Sequence, residues 1–177
     1  MTARLTLGLA LFTASTIFLA GCGDKAPPSA VDNKDKKGHD HTDHDSGTSK
    51  KEDAKLPDGK KCHACLTAHM SKTETELDVF FETFDKEPKP VTLPEKTKLT
   101  ATVTRMGDDM KYTLAFEPAE QDERKTDPAG QCSRFKADVK AWMKPEDKLT
   151  LTLTIEGQAE KIVWVDFNPK KFSHKHD

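Results

Sequence analysis

The sequence predicts an all-β domain, a small antiparallel sandwich or barrel, set behind a long polar tether. Three observations carry that expectation. "LTLTLTI" alternates without a break, placing Leu149, Leu151, Leu153 and Ile155 on one side and Thr150, Thr152 and Thr154 on the other. A period of two marks a strand with one buried face. Similar short segments follow one another between turn signals, "KEPKP", "MGDDM", "DPAGQ", "KPED" and "EGQ", each with its own Gly, Pro or Asp. No stretch of helical periodicity long enough for a crossover stands between them, which argues against a parallel βαβ arrangement.

Taken in order, residues 1–21 read as an export signal. Arg4 supplies the positive start, an uncharged run extends from Leu5 to Ala20, and small residues close it. That run is shorter than the ~20 apolar residues of a spanning helix, and Thr13, Ser15 and Thr16 weaken it further. "LAGC", Leu19 to Cys22, resembles the lipobox of bacterial lipoproteins. The resemblance implies that Cys22 becomes the first mature residue and carries lipid, so the membrane is a partner and the rest of the chain faces the periplasm or exterior. Acyl chains contribute ~0.8 kcal/mol per buried methylene, enough together for a lasting anchor. Outside the cytosol, disulfides persist.

Residues 22–61 form the tether. From Gly23 to Lys61 there is no aromatic residue, and Val31 and Leu56 are the only branched aliphatics. Such a segment buries too little apolar surface to offset its ordering entropy, so disorder is expected. Residues 62–71, "CHACLTAHMS", read as a Cys/His hinge. Residues 72–173 then carry the β domain, in "TELDVFFETF", "KLTATVTRM", "MKYTLAFEP", "SRFKADVKAWM", "KLTLTLTIEG" and "EKIVWVDFNP". "FKADVKAW" is open between a strand and a helical turn. Six or seven strands in this length satisfy either an immunoglobulin-like sandwich or a barrel. Residues 174–177, "HKHD", are a tail.

The seven histidines are His39, His41, His44, His63, His69, His174 and His176. All fall in the tether, the hinge or the tail, outside every expected strand, so they are read as peripheral ligands. "HDHTDHD" (residues 39–45) is a biased tract of the kind that binds metal, with imidazoles suited to zinc or copper and interleaved carboxylates. Lacking a preformed cage, it should bind modestly. Because domain termini often lie close together, His174 and His176 are expected to approach the segment from Cys62 to His69.

Cys62 and Cys65 admit several readings. Leu66 follows Cys65, so the C-x-x-C-H haem pattern is broken and no haem is expected. A thioredoxin-like pair belongs in a βαβ context that is missing here. Two readings stay open: a metal site from Cys62, Cys65, His63 and His69, holding zinc or copper, or a disulfide among Cys62, Cys65 and Cys132. With no histidine on the domain body, no general base is held by a rigid scaffold, and the chain is not expected to be an enzyme. A near-neutral balance (28 Lys and Arg against 30 Asp and Glu) gives no basic patch for nucleic acid.

The stretch from about Glu74 to Asp177, with "FEPAEQDERKTDPAGQCSRF", "LTLTIEG" and the histidine-bearing ends, is similar to a group of small envelope proteins common in planctomycetes. In that group a signal peptide and a His-rich tether precede a compact β domain. The resemblance implies metal handling beside heavy-metal efflux systems, with an efflux or envelope protein as partner. The expected function is therefore a lipid-anchored envelope protein that binds divalent or soft metal ions, with Cys62, Cys65 and His69 as the tighter site. The alternative is a non-catalytic β-sandwich for protein interaction or envelope structure, without metal.

Overall fold

The computed structural model describes residues 49–71, 75–139 and 142–174. All of these belong to one compact unit, His39–Asp177. Its elements are β1 (Lys50–Lys55), β2 (Lys61–Met70), β3 (Thr75–Glu82), β4 (Leu93–Pro94), β5 (Leu99–Arg105), β6 (Lys111–Pro118), β7 (Gln131–Cys132), β8 (Arg134–Asp138), β9 (Leu149–Ile155), β10 (Ile162–Phe167) and β11 (Ser173–His174). No helix occurs among the described residues. Every strand expected from alternation is present, and the first four residues of "FKADVKAW" lie in the strand β8.

Eight strands form one antiparallel sheet in the order β1-β2-β3-β8-β6-β5-β9-β10, with β4 and β7 pairing as a separate two-stranded ladder. The two ends of the large sheet, β1 and β10, lie alongside each other, and Lys50 Nζ donates to the Val165 carbonyl across the seam. The result is a nearly closed barrel. Eight strands leave an interior only wide enough for side chains, and here it is filled by Trp164, Phe81, Phe135, Phe167 and a lining of Leu, Ile and Val. A buried aromatic of this kind costs about 3–5 kcal/mol when cut to Ala, by lost transfer energy plus the cavity left behind.

β10 shows how local chemistry serves that core. Ile162, Trp164 and Phe167 are all buried, although Trp164 and Phe167 are three apart and strict alternation would put them on opposite faces. A bulge between Trp164 and Phe167 absorbs the extra residue. Asp166 sits there at φ 54°, a left-handed conformation that a short polar side chain tolerates.

Four expectations are corrected. The tether does not run to residue 61, because the sheet begins at Lys50. β1, "KKEDAK", buries only Ala54; an edge strand held by backbone pairing carries no hydrophobic alternation and so imitates a linker. Residues 62–71 are no hinge, since "KCHACLTAHM" is the longest strand, inserted between β1 and β3. The β domain accordingly opens well before residue 72. His63 and His69 therefore lie within a strand, and His174 belongs to β11 rather than to a loose tail.

Candidate functional site

The period of two in β2 settles the C-x-x-C motif. Cys62, Ala64, Leu66 and Ala68 join the barrel core, which leaves His63, Cys65, Thr67 and His69 on the outer face. Cys62 and Cys65 thus point to opposite sides of the sheet. Three residues of strand separate their Cα atoms by on the order of 10 Å, beyond the ~7 Å limit for a disulfide and equally beyond a shared metal ion. Cys65 and His69 share a face but stand roughly 13 Å apart along the strand. The site of Cys62, Cys65, His63 and His69 is not assembled. Cys62, Cys65 and Cys132 are all free and buried, so the disulfide reading is corrected as well.

The environment of each thiol fits that account. Burial, aided by Asp58, pushes Cys62 up to about 11. Burial again, with the Glu82 carboxylate next, pushes Cys65 up to about 12, and Lys51 only partly offsets it. Burial also raises Cys132, whose Sγ–H donates to the Arg134 carbonyl at 2.7 Å. A nucleophilic or metal-ligating cysteine needs the opposite shift.

The ladder registers arrange the outer face of β1, β2, β3 and β8 in four rows. The first is Asp53, His63, Glu82. His63 Nδ1 lies 3.3 Å from Asp53 Oδ1, and its ring meets Phe84 edge-on at 4.4 Å. Next come Lys51, Cys65, Phe80, Arg134, with Lys51 ion-paired to Glu82. The third is Thr67, Asp78, Lys136, Glu117. The fourth is His174, His69, Glu76, Asp138. The opposite half of the barrel differs: β5 and β9 pair Thr100 with Thr154, Thr102 with Thr152 and Thr104 with Thr150, ordinary chemistry for a solvated strand face.

Although it is an outer face, its centre is buried. Thr67 and Asp78 are fully covered and Arg134 is 6% exposed. Arg134 Nη2 donates to Asp78 Oδ2 at 2.5 Å, and Asp78 Oδ1 has no hydrogen-bond partner among the described residues. For Lys136, burial opposes the charged form, but Glu123, Glu76, Glu120 and Asp78 together outweigh it, and the net shift is upward. Above the second row a cleft of about 220 Å³ opens between Pro88 and Pro90 on one side and residues 123–126 on the other. Its guanidinium groups are committed to structure. Arg124 donates to the carbonyls of Ala119 (2.7 Å) and Gln131 (2.9 Å) and pairs with Glu95.

Among the described side chains, no group of three or more His, Cys, Asp or Glu is gathered closely enough to hold a metal. Cys22, the tract with His39, His41 and His44, and His176 lie outside the described residues. What the backbone does bring together is position 174 and position 69, as register partners on parallel neighbours β11 and β2. Of the two C-terminal histidines expected to approach this segment, position 174 pairs with His69 and with neither cysteine, and His176 lies outside the described residues. Sequence reasoning missed the Asp78–Arg134 pair; the alternation of "ELDVFF" does put Asp78 opposite Leu77 and Val79, but gives no sign that the outer face would be covered.

Fold and site together define a class: a nearly closed antiparallel β barrel with a packed interior and a charged, histidine-bearing outer face. Comparison of the chain with protein-family models, with curated proteins and with solved structures finds no match.

Proposed function

We propose that this chain is a lipid-anchored envelope protein that binds divalent metal ions through histidines gathered at one corner of its barrel. One observation carries the reading. Two of the histidine positions, far apart in sequence, fall at the same end of β2. His69 lies there itself, and His174 is its register partner. The tract of residues 39–45 precedes β1 in the sequence, and β1 begins at Lys50 opposite Leu66. Five residues of chain from Ser49 to His44 span at most about 18 Å. "LAGC" supports the anchor, with Cys22 as the lipidated residue.

The barrel then serves as a rigid holder, and metal chemistry resides in imidazole and carboxylate at its rim. The test uses the full chain in detergent. Isothermal titration with Zn²⁺ is expected to show binding at least micromolar-tight, reduced in stoichiometry when residues 39–45 and 174–177 are removed. Absence of heat, together with no metal retained after dialysis, ends the reading. Cys22→Ser is expected to abolish incorporation of labelled palmitate; unchanged labelling removes the anchor.

A further inference from the structure

We infer that the barrel docks one end on an anionic phospholipid surface, with the turn between β5 and β6 as the contact. The inference rests on the lipid-anchor reading and adds to it the face that the barrel turns toward the lipid. Strand directions gather the start of β1, the β5–β6 turn, residues 142–148 and residues 168–172 at one end of the barrel. Cys22 precedes Lys50 by 28 residues, a length of chain that reaches at most about 100 Å. A reach of that length does not itself fix which end faces lipid, so orientation must come from the barrel's own surface. Because β1 starts at this end, the end can meet lipid without the chain passing back along the barrel.

Among the described residues five large hydrophobic side chains are exposed, and the two most open are Met106 at 66% and Met110 at 59%, one on each side of that turn. Behind them Tyr112 and Trp142 stack, 4.2 Å between centroids and 8° between planes, and the Tyr112 hydroxyl donates to Met110 Sδ at 3.9 Å. Thioethers at the tip, backed by a half-buried tyrosine and tryptophan, suit the boundary between acyl chains and headgroups, where rings with one polar edge settle. Exposed lysines accompany them. Lys111 follows Met110, the Lys148 carbonyl accepts from Met106 N–H at 2.9 Å, and Lys144 is open as well. A lysine stem lies along apolar surface while its ammonium stays in water. Of the neighbouring acids, Asp108 faces Arg105 at 3.7 Å and Glu146 faces Lys170 at 3.5 Å, which leaves Asp109 as the open acid of the turn. Three lysines against one acid favour an anionic surface. The tip is also built in advance: Arg105 donates to the Trp142 carbonyl and its Nε lies 3.1 Å from Asp147 Oδ2, so contact orders little. In strand order β5 stands four places from β2 around eight strands, and the histidine end of β2 stays on the far side of the rim.

The experiment places the full lipidated chain on vesicles of phosphatidylcholine with phosphatidylglycerol, their acyl chains brominated, and on brominated phosphatidylcholine alone. Flotation with the vesicles reports the anchor, and quenching of tryptophan emission by the bromines reports the contact. The chain has two tryptophans, and Trp164 is fully buried in the core. Quenching on the mixed vesicles is therefore expected to arise at Trp142 and to vanish in Trp142→Phe. Changing Lys111, Lys144 and Lys148 to Gln should weaken the contact about five-fold per lysine, as should added salt. Met106→Ser with Met110→Ser should weaken it about ten-fold, while Phe84→Ser, at the other end of the barrel, leaves it unchanged. A chain that floats with the mixed vesicles but shows no quenching, or quenching indifferent to the lysine and methionine changes, overturns the contact and leaves the anchor in place. Quenching as strong on phosphatidylcholine alone overturns anionic lipid as the partner. A chain that does not float overturns both readings.

Discussion

Raising the pH is the sharpest test of where the cysteines sit. Cys65 ionises at about 12 and Cys62 at about 11 in the folded chain, against ordinary values near 9. The folded state holds these protons more tightly than the unfolded state does. Their contribution is therefore fully present below pH 9 and is lost as pH climbs toward 11 and 12. At pH 10.5 each thiol weakens the fold by about 2 kcal/mol, with a limiting slope of about 1.4 kcal/mol per pH unit per thiol. Urea midpoints at pH 8.5, 9.5 and 10.5, for the parent chain and for Cys65→Ala and Cys62→Ala, isolate the effect of each thiol. Each substitution is expected to lower stability at pH 8.5 and to flatten the alkaline slope by about one proton. A slope unchanged in Cys65→Ala, or a native Cys65 that reacts with Ellman's reagent at pH 8 as fast as the urea-unfolded chain, refutes the buried placement.

Other perturbations follow from single contacts. Asp78→Ala removes the carboxylate that pairs with the covered Arg134 guanidinium and is expected to cost about 3–5 kcal/mol in urea unfolding, whereas exchanging both residues for apolar ones of similar volume costs far less. Arg124→Ala releases the carbonyls of Ala119 and Gln131 and the Glu95 carboxylate; a loss of about 3 kcal/mol is expected, and limited proteolysis should then cut first within residues 119–131. Thr67→Val removes one of two hydrogen bonds to the Phe172 carbonyl, so hydrogen exchange at Ala68 N–H should quicken while core amides in β5 and β9 stay protected.

The sequence and the structure diverge where backbone pairing, and not side-chain burial, makes the strand. β5 and β9 were legible because Leu99, Ala101 and Val103 and their partners Ile155, Leu153 and Leu151 write the core into the period of two. β1 was illegible for the opposite reason: five of its six residues are charged, and its register with β2 supplies what its side chains do not. In β2 the interior is lined by a thiol and two alanines beside Leu66. A strand whose inward residues are that small looks like a motif rather than a core element. The histidine corner was half legible. The proximity of the two ends was expected from compactness, but the pairing of position 174 with 69, and of 69 with Glu76, depends on strand register, which no local pattern reveals.

The bulge in β10 turns that distinction into one more measurable consequence. Burying Trp164 and Phe167 on the same side requires an extra residue, and Asp166 supplies it at φ 54°. A β-branched residue there meets the left-handed penalty of about 1–2 kcal/mol, while glycine does not. Asp166→Val is therefore expected to lose about that much in a thermal or urea transition, and Asp166→Gly to stay within about 0.5 kcal/mol of the parent. The Lys50 contact to the Val165 carbonyl ties this bulge to the first strand of the sheet. Loosening the bulge should thus raise hydrogen exchange along β1 as well as β10. If Asp166→Val leaves both stability and the exchange of β1 untouched, the bulge is not what brings the two edges of the barrel together.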